Sequence, residues 1–223
     1  MSGPVKNRIQ VFDPRQDYGV FERRLPHWAQ AGTACFMTWR TRDSIPADVL
    51  ELWLATRDAW LTQHQIDPAR DDWKSRVLAL PPHLKAEFRR LVSDRWNEHL
   101  DECRGECVLA LPELSKIVVE SLQHFDGNRY ELLDFVVMPN HVHLLAAFPS
   151  EPAMLEQCDS WKHFTATQIN RRLNRRGRFW QQDGFDHLVR SVEQFEFLRR
   201  YIAENPKRAR LSPGKFVHWS KPM

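Results

Sequence analysis

The order of the sequence patterns predicts an α+β protein in which helices pack against a mainly antiparallel central sheet. Short apolar runs typical of strands lie between longer runs in which apolar residues have helical spacing. Two of the strand-like runs flank the polar notch Pro139-Asn140, which favours an antiparallel pair. Hydrophobic residues make up 42% of the 223 residues, which is enough for the core of an ordinary domain.

The first half of the chain contains an arm, a strand, a helix and an insertion. Residues 1–31 are interpreted as an irregular arm of basic and aromatic character, and a strand is predicted over 33–40. Apolar residues at helical spacing predict a helix over 47–63. Prolines punctuate residues 64–104, which we interpret as a helical insertion that covers one end of the sheet. The whole chain, 1–223, is therefore expected to be a single domain.

The second half of the chain alternates helices and strands. Ser191 is expected to cap the last helix, because a serine there accepts a hydrogen bond from a backbone amide of the first turn. The predicted elements are, in order, a helix over 112–125, strands over 130–137 and 141–148, a helix over 154–174, extended segments over 179–183 and 185–190, and a helix from 191 to about 206.

Positive charge is concentrated in the last third of the chain. The formal net charge is only +3, but residues 160–223 contain 14 Lys and Arg against 5 Asp and Glu. Such a basic segment on a nearly neutral protein indicates a surface that binds a polyanion. The alternative is a solvated basic face without a partner.

Cysteine usage and hydropathy exclude other classes of protein. The four cysteines do not form a disulfide framework, and Cys103 and Cys107 lack the second pair that a zinc site needs. No apolar run is long enough to span a bilayer and no signal-peptide pattern is present, so no membrane partner is expected. We therefore expect a cytoplasmic protein.

A His-Val-His motif in one of the predicted paired strands is the first candidate site. Side chains at i and i+2 of a strand point to the same face, so His141 and His143 are expected to lie side by side. Two imidazoles in this arrangement can bind one divalent cation. The alternative is that both are partly buried strand residues, although two polar rings are unusual on a core face.

The last predicted helix supplies the second half of the site. Tyr201 and Asn205 are four residues apart, so they share a helix face. Asn205 is a candidate third metal ligand that donates an oxygen, and Tyr201 would then stand next to the same cation. A tyrosine taken alone is more often a core or surface residue, so the hypothesis depends on its combination with the His-Val-His motif.

Together these motifs resemble the single-tyrosine HUH transposases, whose name denotes His, a hydrophobic residue and His. The similarity is greatest to their REP-associated branch and covers nearly the whole chain apart from 64–104. In that branch Asn205 takes the place of a Gln that many insertion-sequence relatives carry. The matching segments are Arg24-Leu25-Pro26-His27-Trp28, Thr38-Trp39-Arg40, Asp43-Ser44-Ile45-Pro46, Met138-Pro139-Asn140-His141-Val142-His143, Trp180-Gln181, Phe185-Asp186-His187, Tyr201-Ile202 and Asn205-Pro206.

The resemblance implies a ferredoxin-like HUH fold and a sequence- and structure-specific endonuclease and strand transferase for single-stranded DNA, active in transposition. His141 and His143 then match the metal-binding pair of the family, with Asn205 as the third ligand. Tyr201 matches the nucleophile that forms a covalent 5′-phosphotyrosine intermediate. Mg²⁺ or Mn²⁺ suits two imidazoles and an amide. The implied partners are single strands with REP-type hairpins.

DNA is expected to lie on the basic third of the chain and on the arm. Lysine and arginine contact phosphates, and aromatic rings stack on unpaired bases, at roughly 1–3 kcal/mol for each stack. For Trp180 and its neighbour Phe179, core packing is the alternative role. The candidate DNA-binding residues are Arg23, Arg24, Trp161, Lys162, Arg171, Arg172, Arg175, Arg176, Arg178 and Trp180.

Two other functions stay open on the sequence alone. One is a hairpin-binding protein without catalysis, which does not require Tyr201 and both histidines together. The other is a metal-dependent hydrolase that uses the His-x-His motif with water as the nucleophile. It needs further carboxylates, for which Asp134 and Asp186 are the nearest candidates. As a transposase-like protein, the chain is expected to be a monomer or homodimer associated with the nucleoid.

Overall fold

The chain divides into two compact units, which are Met1–Arg42 with Cys107–Met223, and Asp43–Glu106. The predicted DNA-binding residues Arg23 and Arg24 lie outside the described residues. Among those described, no helix combines the length and the apolar composition needed to cross a membrane. The computed structural model describes residues 19–22, 26–29, 32–94, 102–181 and 185–222.

Seven strands and six α-helices are found in the described ranges, and several have the predicted bounds. The helix over 47–63 and the strands over 130–137 and 141–148 are confirmed to within one residue. In chain order the elements are β1 (Gly19–Glu22), β2 (Pro26–Ala29), β3 (Ala34–Arg40), α1 (Ala47–Gln63), α2 (Trp73–Ala79), α3 (Pro82–Phe88), a π-helical segment (Arg89–Asp94), a 3-10 turn (Val108–Ala110), α4 (Pro112–Gln123), β4 (Glu131–Val137), β5 (His141–Ala147), α5 (Glu151–Arg172), β6 (Phe185–Leu188), α6 (Val192–Arg208) and β7 (Val217–Ser220).

The first unit is built on a five-stranded sheet with the order β6-β3-β5-β4-β7. Every neighbouring pair in it is antiparallel. Without β7, strands β3 to β6 and helices α4 and α5 have the β-α-β-β-α-β order of a ferredoxin-like fold. The predicted α+β class and ferredoxin-like topology are therefore confirmed. Strands β1 and β2 also pair antiparallel, so the prediction of an irregular arm is wrong for these two segments.

The two faces of the central sheet have different roles. On one face Trp39, Phe135 and Leu144 join a buried cluster with Leu114 of α4 and Trp161 of α5. The strand side chains alternate between faces, so residues at the intervening positions of β3, β4 and β5 point to the other side. Helix α6 packs on that second side and contacts β4 and β5. The candidate site lies there.

The second unit, Asp43–Glu106, has a small core of its own. Trp60, Leu61, Ile66 and Val77 are buried together. The Trp60 indole nitrogen donates a hydrogen bond to the Glu87 carboxylate at 2.9 Å. Helix α1 therefore belongs to the same compact unit as residues 64–104, which the sequence suggested as an insertion that begins only after this helix.

Candidate active site

The two histidines of the His-Val-His motif lie side by side on β5, as the strand pattern predicted. Their ring centres are 4.6 Å apart, and the exposed fractions are 0% for His141 and 1% for His143. Strand β5 lies between β3 and β4, so hydrogen bonds on both sides fix its backbone. The pair therefore projects from a rigid part of the sheet.

Each ring is oriented by a hydrogen bond to its Nδ1 atom. His141 Nδ1 lies 2.7 Å from Asn140 Oδ1, and His143 Nδ1 lies 2.6 Å from Thr38 Oγ1. The Nε2 atoms of both rings are buried and make no hydrogen bond of good geometry among the described residues, although the Asn205 side chain interacts with His141. A buried nitrogen of this kind is costly unless it meets a ligand. Two such nitrogens on adjacent rings, each with Nδ1 held, are the arrangement of metal-binding histidines.

Burial keeps both rings neutral. It lowers the pKa of His141 from 6.5 to about 4, and the polar side chain of Asn205 acts in the opposite direction. Burial also lowers the pKa of His143 well below 6.5, with smaller contributions from His141 and Arg208. A neutral imidazole is the form that coordinates a cation. Among the residues that the structure describes, no three His, Cys, Asp or Glu side chains form a cluster that could hold a metal.

Helix α6 brings the predicted tyrosine and asparagine to the histidines. Its cap is the predicted one, since the Ser191 hydroxyl accepts a hydrogen bond from the Gln194 amide at 3.1 Å. The Tyr201 ring packs edge-on against His143, with ring centres 5.2 Å apart. Asn205 is fully buried one turn later and interacts with His141. The structure therefore brings all four predicted residues together.

One positive charge lies beside the tyrosine, and a second lies on the strand next to His141. The guanidinium carbon of Arg208 lies 5.3 Å from the centre of the Tyr201 ring. Arg40 lies directly opposite His141 in the β3–β5 pairing and is 9% exposed. Burial lowers the pKa of Arg40 to about 10, which leaves it charged at neutral pH. An anion that approaches Tyr201 from the Arg208 side is thus favoured electrostatically.

Sequence reasoning missed the residues of β3 that support the histidines. Thr38 orients His143, and Phe36 stacks on the same ring with centres 5.5 Å apart and an interplanar angle of 21°. Both positions face the site because they alternate with Met37 and Trp39. Thr38 and Arg40 occur in a segment that carried the family resemblance, which was the available signal for them.

The structure contradicts the predicted stacking role of two tryptophans. Trp161 is 2% exposed, stacks on Trp39 and donates a hydrogen bond to the Ser121 carbonyl oxygen at 3.1 Å. Trp180 is 3% exposed and donates to Thr165 Oγ1 at 2.8 Å. With so little of either ring exposed, neither offers a face on which a base could stack in this conformation. Both belong to the core.

The predicted basic residues of α5 and the loop after it are accessible. Lys162 is half-buried on α5, and the five arginines are exposed. Lys162 and Arg178 line a groove of about 570 Å³ between α5 and residues 177–181, together with Asp159, His163, Asn170 and Gln181. The exposed arginines are Arg171, Arg172, Arg175, Arg176 and Arg178.

An exposed aromatic side chain on the same helix was missed. Phe164 is 49% exposed. It lies three residues before Thr167 in the groove lining and seven residues before Arg171, so the three share one side of α5. This ring has the exposure that Trp161 lacks.

The carboxylates considered for a hydrolase do not complete the metal site. Asp134 is buried, and its two oxygens lie within hydrogen-bond distance of Arg199, His218 and Ser220. The side chain of Asp186 lies outside the described residues. The geometry therefore gives no support to a water-activating site with Asp134 as a ligand.

Comparison with known proteins points in the same direction as the geometry. Residues 111–205 match the model of a family described as IS200-like transposases, and the matched range contains all four site residues. Comparison with curated proteins gives no match. A solved structure of a REP-associated tyrosine transposase bound to a REP hairpin matches with a TM-score of 0.40 and 14% identity, over 82% of this chain and 71% of that chain. The family match, which covers less than half of the chain, bears out the predicted resemblance to these transposases.

Proposed function

Because residues 111–205 match the IS200-like transposases, we propose that this protein cleaves and rejoins single-stranded DNA at REP-type hairpins. The proposed reaction depends on a metal and passes through a covalent bond to Tyr201. The observation that supports it most is the contact of the Tyr201 ring with His143, next to two buried Nε2 atoms that make no hydrogen bond of good geometry in the described chain. A protein that only binds nucleic acid does not require a tyrosine ring next to two buried histidine nitrogens, and a hydrophobic core does not require it either.

His141, His143 and Asn205 are the proposed ligands of one Mg²⁺ or Mn²⁺ ion. The two buried Nε2 atoms and the neighbouring amide give the mixed nitrogen and oxygen donor set that suits Mn²⁺, while Mg²⁺ prefers oxygen. When bound, the cation polarises the scissile phosphate and offsets the charge of the transition state.

Tyr201 is the proposed nucleophile. Its phenolic oxygen loses its proton and attacks the phosphorus, the bond from phosphorus to the 3′ oxygen breaks, and the leaving oxygen takes up a proton as a 3′-OH. The 5′ phosphate then remains on Tyr201. The guanidinium of Arg208 lies over the Tyr201 ring and places positive charge next to the site that the phosphate enters. Attack by another 3′-OH reverses the step and joins two strands without ATP.

Outside the cleavage site, the proposed DNA path follows α5, which packs on the face of the sheet opposite to Tyr201. The exposed arginines of residues 171–178 contact phosphates, and the groove beside Lys162 accepts part of the strand. Phe164, and not Trp161, is the ring available for stacking on an unpaired base. A monomer or homodimer located in the cytoplasm at the nucleoid is part of the same proposal.

A covalent adduct tests the proposed chemistry. A single-stranded hairpin oligonucleotide labelled at either end is incubated with Mn²⁺ and run on a denaturing gel. Wild type should shift the fragment 3′ of the cut into a protein-linked band, and Tyr201→Phe should not. Tyr130→Phe is the matched control, because it also removes a single tyrosine hydroxyl. The Tyr130 hydroxyl is buried and donates a hydrogen bond to the Leu122 carbonyl oxygen. An adduct that persists in Tyr201→Phe, or one absent from wild type, would refute the mechanism.

A further inference from the structure

Asp134 is a buried carboxylate that the proposed chemistry does not use. Its side chain is 2% exposed and lies on β4. Asp134 pairs with Leu145 across the sheet and Val136 pairs with His143, so Asp134 projects from the same face as the histidines. A buried carboxylate is tolerated only when it is paired and hydrogen-bonded. Its partners therefore indicate what this group does.

Three side chains from two other elements surround this carboxylate. Arg199 Nε of α6 donates to Asp134 Oδ2 at 3.1 Å, and Ser220 Oγ of β7 donates to the same oxygen at 2.8 Å. His218 Nε2 of β7 lies 3.1 Å from Asp134 Oδ1. Arg199 Nη2 also donates to Ser220 Oγ and, at 3.4 Å, to the Lys221 carbonyl oxygen. We call Asp134, Arg199, His218 and Ser220 the Asp134 clasp.

The clasp joins the helix of the nucleophile to the strand next to the histidines. Arg199 is two residues before Tyr201 and six before Asn205. The apolar contacts of α6, through Phe195, Leu198 and Ile202, are not directional and tolerate sliding or rotation of the helix. The charge-assisted hydrogen bonds of the Arg199 guanidinium are directional, so they fix both the position of the helix along its axis and its rotation.

We propose that the Asp134 clasp sets the register of α6, so that Tyr201 and Asn205 meet His143 and His141. Asp134 and Arg199 are then positioning residues, and β7 belongs to the site because it holds Arg199 from the far side. The inference rests on the proposed roles of Tyr201 and Asn205. Whether the position of Tyr201 depends on the clasp can be tested without measuring any reaction.

Fluorine NMR reports the position of Tyr201 directly. The protein has three tyrosines, so labelling with 3-fluorotyrosine gives three resonances, and Tyr201→Phe identifies one of them. That resonance is sensitive to the rings of His143 and Phe36, whose centres lie 5.2 and 6.1 Å from the Tyr201 ring. It should shift or broaden in Asp134→Asn and in Arg199→Lys, which keep the side-chain size approximately. The matched control is Leu114→Ala, a buried change on the opposite face of the sheet.

Metal affinity gives the second readout. Mn²⁺ binding, measured by calorimetry on the folded proteins, should weaken about 10- to 100-fold in Asp134→Asn, as for other residues that orient a metal ligand. Leu114→Ala should keep the wild-type affinity and the wild-type Tyr201 resonance. An unchanged resonance in both clasp variants, or an equal change in Leu114→Ala, would overturn the inference. If the wild-type protein binds no Mn²⁺, the proposed metal site fails, and the fluorine spectra alone decide on the clasp.

Discussion

Protonation of the buried histidine pair should destabilise the metal-free protein in mild acid. Burial lowers the pKa of His141 to about 4 and that of His143 well below 6.5. In the unfolded chain both rings titrate near 6.5, at roughly the value of a free imidazole. Between these pH values the unfolded chain binds more protons than the folded one. The free energy of unfolding therefore falls as the pH is lowered from about 6.5 towards 4.

The size of the effect follows from the two pKa values of His141. They differ by about 2.5, which corresponds to about 3 kcal/mol once the pH is well below 4, at about 1.4 kcal/mol for each pH unit. At pH 5 the unfolded ring is almost fully protonated, while the buried ring is still mostly neutral. About 2 kcal/mol should therefore be lost between pH 7.5 and pH 5 through His141 alone, and His143 adds to the loss.

Urea unfolding in EDTA, followed by tryptophan fluorescence at pH 7.5 and pH 5, measures this loss. His141→Gln has a neutral polar group at the position and should lose less stability than wild type between the two pH values, by about 2 kcal/mol. The matched control is His83→Gln, which makes the same substitution at an exposed position on α3, away from the buried pair. If the free energy of unfolding falls equally in His141→Gln and wild type between the two pH values, His141 is not a buried neutral histidine.

Three further predictions concern DNA and the core. His141→Ala or His143→Ala should abolish cleavage of a labelled hairpin but leave its affinity in fluorescence anisotropy nearly unchanged, because phosphates supply most of the affinity; cutting at the wild-type rate by either variant would remove the metal assignment. A single-stranded hairpin should bind better than a blunt duplex of the same sequence, with affinity that falls steeply with salt; equal affinities would count against the single-strand surface. Phe164→Ala should weaken hairpin binding by roughly 1–3 kcal/mol and change stability little, while Trp161→Ala should lower the free energy of unfolding by about 3–5 kcal/mol. The reverse pattern in anisotropy and urea titrations would restore Trp161 to the DNA surface.

The histidines could be predicted from sequence because the necessary information is local. Alternation along a single strand places His141 and His143 on one face, and helical spacing does the same for Tyr201 and Asn205. The support from Thr38 could not be found in this way. It lies 105 residues before His143, and its hydrogen bond depends on the register between β3 and β5. No periodicity within either segment encodes that register.

Helix α5 shows how composition can outweigh spacing. Trp161, Thr165 and Ile169 recur at intervals of four residues, and all three are buried. That spacing is the signature of a core stripe and indicates a buried Trp161, but the basic composition of the last third of the chain was given more weight, and Trp161 was predicted to bind DNA. Phe164 is off the stripe and is exposed. Strand β7 was missed for a different reason, since four residues at the sheet edge take their structure from pairing with β4.

The position of the site on the sheet separates its stability from its chemistry. Val142 and Leu144, which alternate with the two histidines, are fully buried in the cluster on the opposite face. Each such side chain contributes roughly 1.5–3 kcal/mol through burial, so the apolar face holds β5 in place whatever binds on the other side. The desolvation that keeps the two imidazoles neutral is therefore offset by contacts that take no part in the reaction. Helix α6 instead packs on the sheet through Phe195, Leu198 and Ile202, and in the proposal above its register is set by the directional bonds to Asp134.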